Sequence, residues 1–97
     1  MNFDLIIKEI IKIIRHYLNK EDYKIYLFGS WARGDALPTS DIDIGIFGKE
    51  KIPFDIMSKI LSEKEAVQTL RSLDVIDLNT KNQEFKNKAL KEAKLLD

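Results

Sequence analysis

Apolar side chains at Phe3, Ile6, Ile7, Ile10, Ile14, Tyr17 and Leu18 recur at three- and four-residue intervals, with Lys8, Lys12 and Arg15 on another face. That period predicts an amphipathic packing helix. Ile11 and Ile13 widen the apolar stripe beyond what one buried surface needs, so the helix serves either as core alone or as core with a partner-facing strip. The pattern then changes. "KIYLF" at 24–28 is a short β-rich run stopped by Gly29, and "DIDIGIF" at 41–47 alternates before Gly48 stops it. Both predict strands. The intervening "GSWARGDALPTS" holds two glycines, a proline and small polar residues, which predicts a turn or short helix followed by an exposed loop.

Pro53 suits a first helical turn, and Ile56, Met57, Ile60 and Leu61 follow it at helical spacing. "LDVIDLN" reads as a third strand. Asn79 or Thr80 is then placed to cap a closing helix with Phe85, Ala89, Leu90 and Ala93 on one side and lysines and glutamates on the other. The predicted order is α-β-α-β-α-β-α, without repeats, linkers or low-complexity segments. The fold class is α/β, a small mixed sheet flanked by helices.

Composition narrows the functional classes. A chain of 97 residues that is 44% hydrophobic is expected to form one domain over 1–97 with one modest core. Sixteen basic and sixteen acidic residues cancel, so there is no global footprint for nucleic acid, and any phosphate ligand needs a local site. The absence of cysteine excludes disulfides and thiolate metal sites. Asp4, Lys8, Glu9 and Lys12 interrupt the apolar N-terminal stretch, so it reads as neither a signal sequence nor a membrane span. A soluble cytoplasmic protein is the expectation.

Two aspartates in a predicted buried strand require an explanation. Side chains two apart on a strand share a face, so Asp41 and Asp43 present their carboxylates together while Ile42 and Ile44 point into the core. A buried carboxylate without a partner costs several kcal/mol by order of magnitude. An oxygen-only pair is satisfied by Mg²⁺ or Mn²⁺ rather than zinc. Gly29 permits a tight exit from the first strand, and Ser30 offers free N–H groups and a hydroxyl, a candidate phosphate cradle. No G-x-x-x-x-G-K-[ST] motif is present, and Gly45 stands where an EF-hand needs its third oxygen ligand.

Taken together, Gly29-Ser30, ten residues, then Asp41-Ile42-Asp43 form G-S-x10-D-x-D. This resembles the signature of the DNA polymerase β nucleotidyltransferase superfamily. "FGSWARGDALPTSDIDI" resembles its minimal nucleotidyltransferase branch, small proteins encoded beside HEPN-domain partners in bacteria and archaea. "SLDVIDLN" resembles that branch's third strand and "EFKNKALKEAKLL" its closing helix. The pattern departs at Trp31, where the branch commonly has a basic or small residue, and at the terminal "KEAKLLD", where many relatives have a glycine.

The resemblance implies a two-metal mechanism. Ser30, Gly29 and the neighbouring N–H groups hold the triphosphate of ATP, and Asp41 and Asp43 hold two Mg²⁺ ions, with Mn²⁺ a substitute. A third carboxylate on the next strand is implied, and strand parity allows Asp74 or Asp77 but not both. The branch's shorter form "VDLV" aligns on Asp74, leaving Asp77 to end the strand and help begin the last helix. Arg33 either neutralises triphosphate or is solvated in a surface turn. Trp31 either stacks on a base or packs against the sheet. His16 lies away from the motif.

The implied activity is transfer of AMP from ATP to a hydroxyl, a tyrosine of a HEPN toxin RNase encoded nearby, with this chain as antitoxin. The small size leaves the acceptor side to a partner and leaves room for homo- or hetero-oligomers. Two other expectations stand beside it: transfer to a small-molecule hydroxyl, and a non-catalytic module that silences its partner by docking.

Overall fold

The computed structural model describes residues 2–97, and its architecture follows from how each apolar pattern finds its cover. Helix α1 (Phe3–Tyr17) starts where the Asn2 side chain accepts from the Leu5 amide at 2.9 Å, and its stripe of Ile6, Ile10 and Ile14 is fully buried. Strand β1 (Tyr23–Phe28) leads to the single-turn helix α2 (Ser30–Arg33), and strand β2 (Ile42–Gly48) follows. Helix α3 (Phe54–Lys64) crosses to strand β3 (Leu73–Asp77), a 3₁₀ turn covers Leu78–Thr80, and α4 (Gln83–Glu92) precedes the short strand β4 (Lys94–Leu95).

The sheet order is β3-β2-β1-β4. β1 pairs antiparallel with β2 and β4, and β2 pairs parallel with β3 across the α3 crossover. One face carries Ile25, Leu27, Ile42, Ile44, Ile46 and Val75, all buried, and these merge with the isoleucines of α1 and with Ile60 of α3 into the main core. Each such side chain contributes about 1.5–3 kcal/mol through burial. The opposite face is thinner. There Phe28 meets Phe85 of α4 edge-on at 6.4 Å, Lys86 sits over Phe47, and Leu78 folds against Gly45. Ala89 is the one residue of α4 that is buried.

Three details differ from the sequence reading. β2 begins at Ile42, so Asp41 stands just before the strand. The cap of the last helix is Asn82, because Asp77 accepts from the Asn79 amide and winds Leu78–Thr80 into the 3₁₀ turn first. The closing helix stops at Glu92, and the chain after it turns extended to pair with Tyr26 and Leu27. Helix propensity in "KEAKLLD" yields to the open edge of β1: the Leu96 amide donates to Ile25 O at 2.8 Å, and Arg15 and Lys20 both bridge to Asp97. Ile11 and Ile13 are partly buried against the core, so the wide stripe of α1 is packed within the chain. Among the described residues no helix is long and apolar enough to cross a membrane.

Candidate active site

The site forms where β1 ends. Gly29 has φ +76°, a conformation that L side chains rarely adopt, and a Cβ placed there would collide with Oδ2 of Asp43. The backbone therefore passes directly against a carboxylate. The carbonyl of Gly29 accepts from the amides of Ala32 and Arg33, leaving the Ser30 and Trp31 amides at the open start of α2. Gly34, at φ +86°, closes the turn by donating to Ser30 O at 3.0 Å.

The loop back to β2 is pinned at several points. The indole Nε1 of Trp31 donates to Ser40 O at 3.0 Å, the Ser40 hydroxyl accepts from the Leu37 amide, and the Ile42 amide donates to Ser72 O. Trp31 also stacks on Phe3 with centroids 4.4 Å apart and lies under the Arg71 guanidinium. Its ring is thus held by protein contacts on several sides. These contacts deliver Asp41, exposed, next to Asp43, half-buried.

Across the sheet, Asp74 is the register partner of Asp43 in the parallel β2–β3 pair. Parity puts Asp74 on the face of Asp43 and turns Leu73, Val75 and Asp77 toward the core. Asp77 is elsewhere engaged: it is 6% exposed and accepts from the Ile52 amide at 2.8 Å and the Asn79 amide at 3.0 Å. The structure therefore brings Asp43 and Asp74 together, with Asp41 beside them, and leaves Asp77 apart.

Burial, then the charges of Asp74 and Asp41, push the Asp43 carboxyl above its usual range, and Arg33 offsets this only in part. Arg33 is itself bound to Asp35 at 3.2 Å and Glu92 at 3.1 Å, which hold its guanidinium more firmly protonated. The sequence reading placed Arg33 near phosphate but missed Glu92. Asp35 is two residues away in the chain, but nothing in the sequence pairs Glu92 with α2.

Among the described residues no group of three or more His, Asp or Glu side chains is close enough to hold a metal ion unaided. The available donors are all oxygens, and a half-buried carboxylate strained by two like charges is suited to a hard cation. Mg²⁺ is commonly bound by one or two carboxylates, with water and substrate phosphate completing its shell, so the donor set fits it.

Comparison with known proteins decides the family. The model of the polymerase beta nucleotidyltransferase family matches residues 8–96. The chain belongs to this nucleotidyltransferase family. Over 63 residues, this nucleotidyltransferase is 40% identical to a candidate protein adenylyltransferase of Methanocaldococcus jannaschii, the match covering 63% of this chain and 63% of that relative's length. Its fold is similar to a toxin–antitoxin crystallised with AMP-PNP, at 25% identity and a TM-score of 0.65 over 92% of this chain and 70% of the other. It is also similar in fold to a structure of tri-AMPylated Shewanella oneidensis HEPN toxin in complex with MNT antitoxin, at 22% identity and a TM-score of 0.61, covering 95% of this chain and 69% of that one.

Proposed function

We propose that this nucleotidyltransferase domain, spanning 1–97, moves AMP from ATP to a tyrosine hydroxyl of a HEPN-domain toxin in the cytoplasm and acts as its antitoxin. The observation that carries the reading is the close approach of the Gly29 backbone to the Asp43 carboxylate, which supports a phosphate cradle beside the proposed metal ligands. The Jannaschii relative and the two toxin–antitoxin structures support the acceptor class and the use of ATP.

Each residue has a definite task. Ser30 and the amides at the start of α2 hold the terminal phosphates, and Gly29 lets them approach without a side chain in the way. Asp41 and Asp43 are the ligands for Mg²⁺, with Asp74 completing the set on the acceptor side. Bound Mg²⁺ supplies charge neutralisation of the triphosphate and a more acidic acceptor hydroxyl. The acceptor oxygen attacks the α-phosphorus, a new O–P bond forms as the bond to the β-phosphate bridge breaks, and pyrophosphate leaves. Asp74 orients the acceptor and accepts its proton. Arg33, once drawn from Asp35 and Glu92, balances the charge of the leaving phosphates.

The deciding experiment incubates the chain with Mg²⁺, ATP and the HEPN protein encoded beside it, and reads the partner's intact mass. The expected result is a gain of one or more AMP units that is lost in Asp43→Asn. A stable complex with no mass gain would sink the transferase reading in favour of a docking antitoxin. Transfer to aminoglycoside-type hydroxyls with none to protein would favour the small-molecule alternative.

A further inference from the structure

The outer edge of β3 carries features that the transfer site does not use. β3 pairs with β2 on one side, and it stands at the end of the sheet. Ile42 donates to Ser72 O, and in a parallel ladder alternate residues address the same neighbour, so Ser72, Asp74 and Ile76 face β2. The main chains of Leu73, Val75 and Asp77 therefore point outward. Two of their carbonyls are covered: Leu73 O accepts from Lys64 Nζ at 2.8 Å and Asp77 O from the Thr80 hydroxyl at 2.7 Å. The N–H and C=O of Val75 have no partner among the described residues.

Beside that gap lies a groove of about 390 Å³, with Ile52, Phe54, Met57, Val75 and Ile76 in its lining. The Phe54 ring is 88% exposed, an unusual position for a large aromatic at the start of a helix. Lys51 and Lys81 flank the groove, and among the described residues neither makes an ion pair. The one carboxylate in the lining, Asp77, is buried and committed to the Ile52 and Asn79 amides. The groove thus combines an unpaired strand edge at Val75, a residue itself only 7% exposed, an apolar lining, and two lysines without a carboxylate partner, of which Lys81 lies over the Phe85 ring at 5.8 Å.

We propose that this edge is the docking groove for an extended segment of a partner protein, apolar at its centre and acidic at its ends, which adds as a strand beside Val75. Main-chain pairing supplies affinity in such additions, and alternate side chains supply specificity. The groove and the transfer site share one strand, β3. Asp74 precedes Val75 on the same strand and lies about 10 Å from Asp77 at roughly 3.3 Å per residue. A segment paired along β3 passes Asp74 within one side chain's reach, which delivers an acceptor hydroxyl to it. This last step rests on the transferase reading; the docking does not. A second copy of the chain presents the same lysines and lacks the complementary charge.

The test titrates the isotope-labelled full chain, without nucleotide, with the capped peptide Ac-Asp-Ile-Tyr-Val-Glu-NH₂ and with its analogue N-methylated at the central amides. Hydrogen exchange at the Val75 amide is the readout. Expected are a slowing of that exchange by at least about tenfold at saturation, loss of the effect with the N-methylated peptide, and roughly tenfold weaker binding in Lys51→Glu/Lys81→Glu. Val75 left unprotected at millimolar peptide would overturn the proposal, as would equal binding of the N-methylated peptide. Protection of Val75 by concentration-dependent self-association alone would overturn it in favour of a homodimer. Transfer to partner protein that persists while Val75 stays open would sink the groove and spare the transferase; protection of Val75 with no transfer would do the reverse.

Discussion

Asp43 is the residue at which structure and chemistry oppose each other most directly. Its folded pKa is raised by burial and by Asp74 and Asp41, so its ionised form is less favourable in the native chain than in the unfolded one. The sign follows from linkage. Below the ordinary aspartate range both states are protonated and Asp43 carries no penalty; as pH rises through the raised folded pKa, the charge forms and stability is lost. Asp43→Asn should therefore raise the melting temperature of the metal-free chain at neutral pH, by an amount read at about 4–8 °C per kcal/mol for a domain of this size. Thermal melts at stepped pH check it: the gain should shrink as pH falls through the raised pKa toward the ordinary range, and a constant gain would contradict the assignment. The same variant should lose transfer by on the order of 10²–10³, the scale for removing one group that stabilises transition-state charge. The motif that singled out Asp43 was readable because spacing and residue type are local properties. Glu92 was not readable as the partner of Arg33, since 59 residues separate them and only the packing of α4 brings them together.

At the scale of elements, β3 assigns two aspartates to unlike tasks. Asp74 is exposed on the face of the site, whereas Asp77 ends the strand and binds the start of the 3₁₀ turn to the segment before α3. Asp74→Asn should leave urea unfolding nearly unchanged and remove the proposed transfer of AMP. Asp77→Asn should lower stability by about 1–3 kcal/mol, the cost of disturbing a buried, fully used acceptor. Chemical denaturation of the two variants side by side checks both halves. Alternation in "LDVID" showed that the two aspartates face opposite sides, because strand parity is fixed by the backbone, but left open which of them joins the site. The ends of the elements were less legible. Lys94 and Leu95 have no strand signal of their own and become extended because Tyr26 and Leu27 offer an unfilled edge. Trp31 likewise has no sequence cue to Phe3, 28 positions earlier, and only the docking of α1 makes that stack.

For the molecule as a whole, the two sheet faces are unequal. The face under α1 and α3 holds a continuous isoleucine core, and a hydroxyl contact from Tyr17 to Glu63 ties those helices together. The face under α4 holds Leu78, the edge-on phenylalanines and Ala89, and its helix is fastened to the site by Arg33–Glu92. Free energies of local opening follow such differences in buried contact. Amides in α4 should exchange by sub-global opening with protection at least about tenfold below that of α1, β1 and β2, measured by native-state hydrogen exchange. Exchange of α4 in step with the core would contradict this. The thin cover over the working face then acquires a meaning in time rather than in space. On the proposed transfer reaction, loosening the ten residues of α4 would admit or release a bulky acceptor while the scaffold stays shut. Heating would then end the proposed transfer well before the molecule melts.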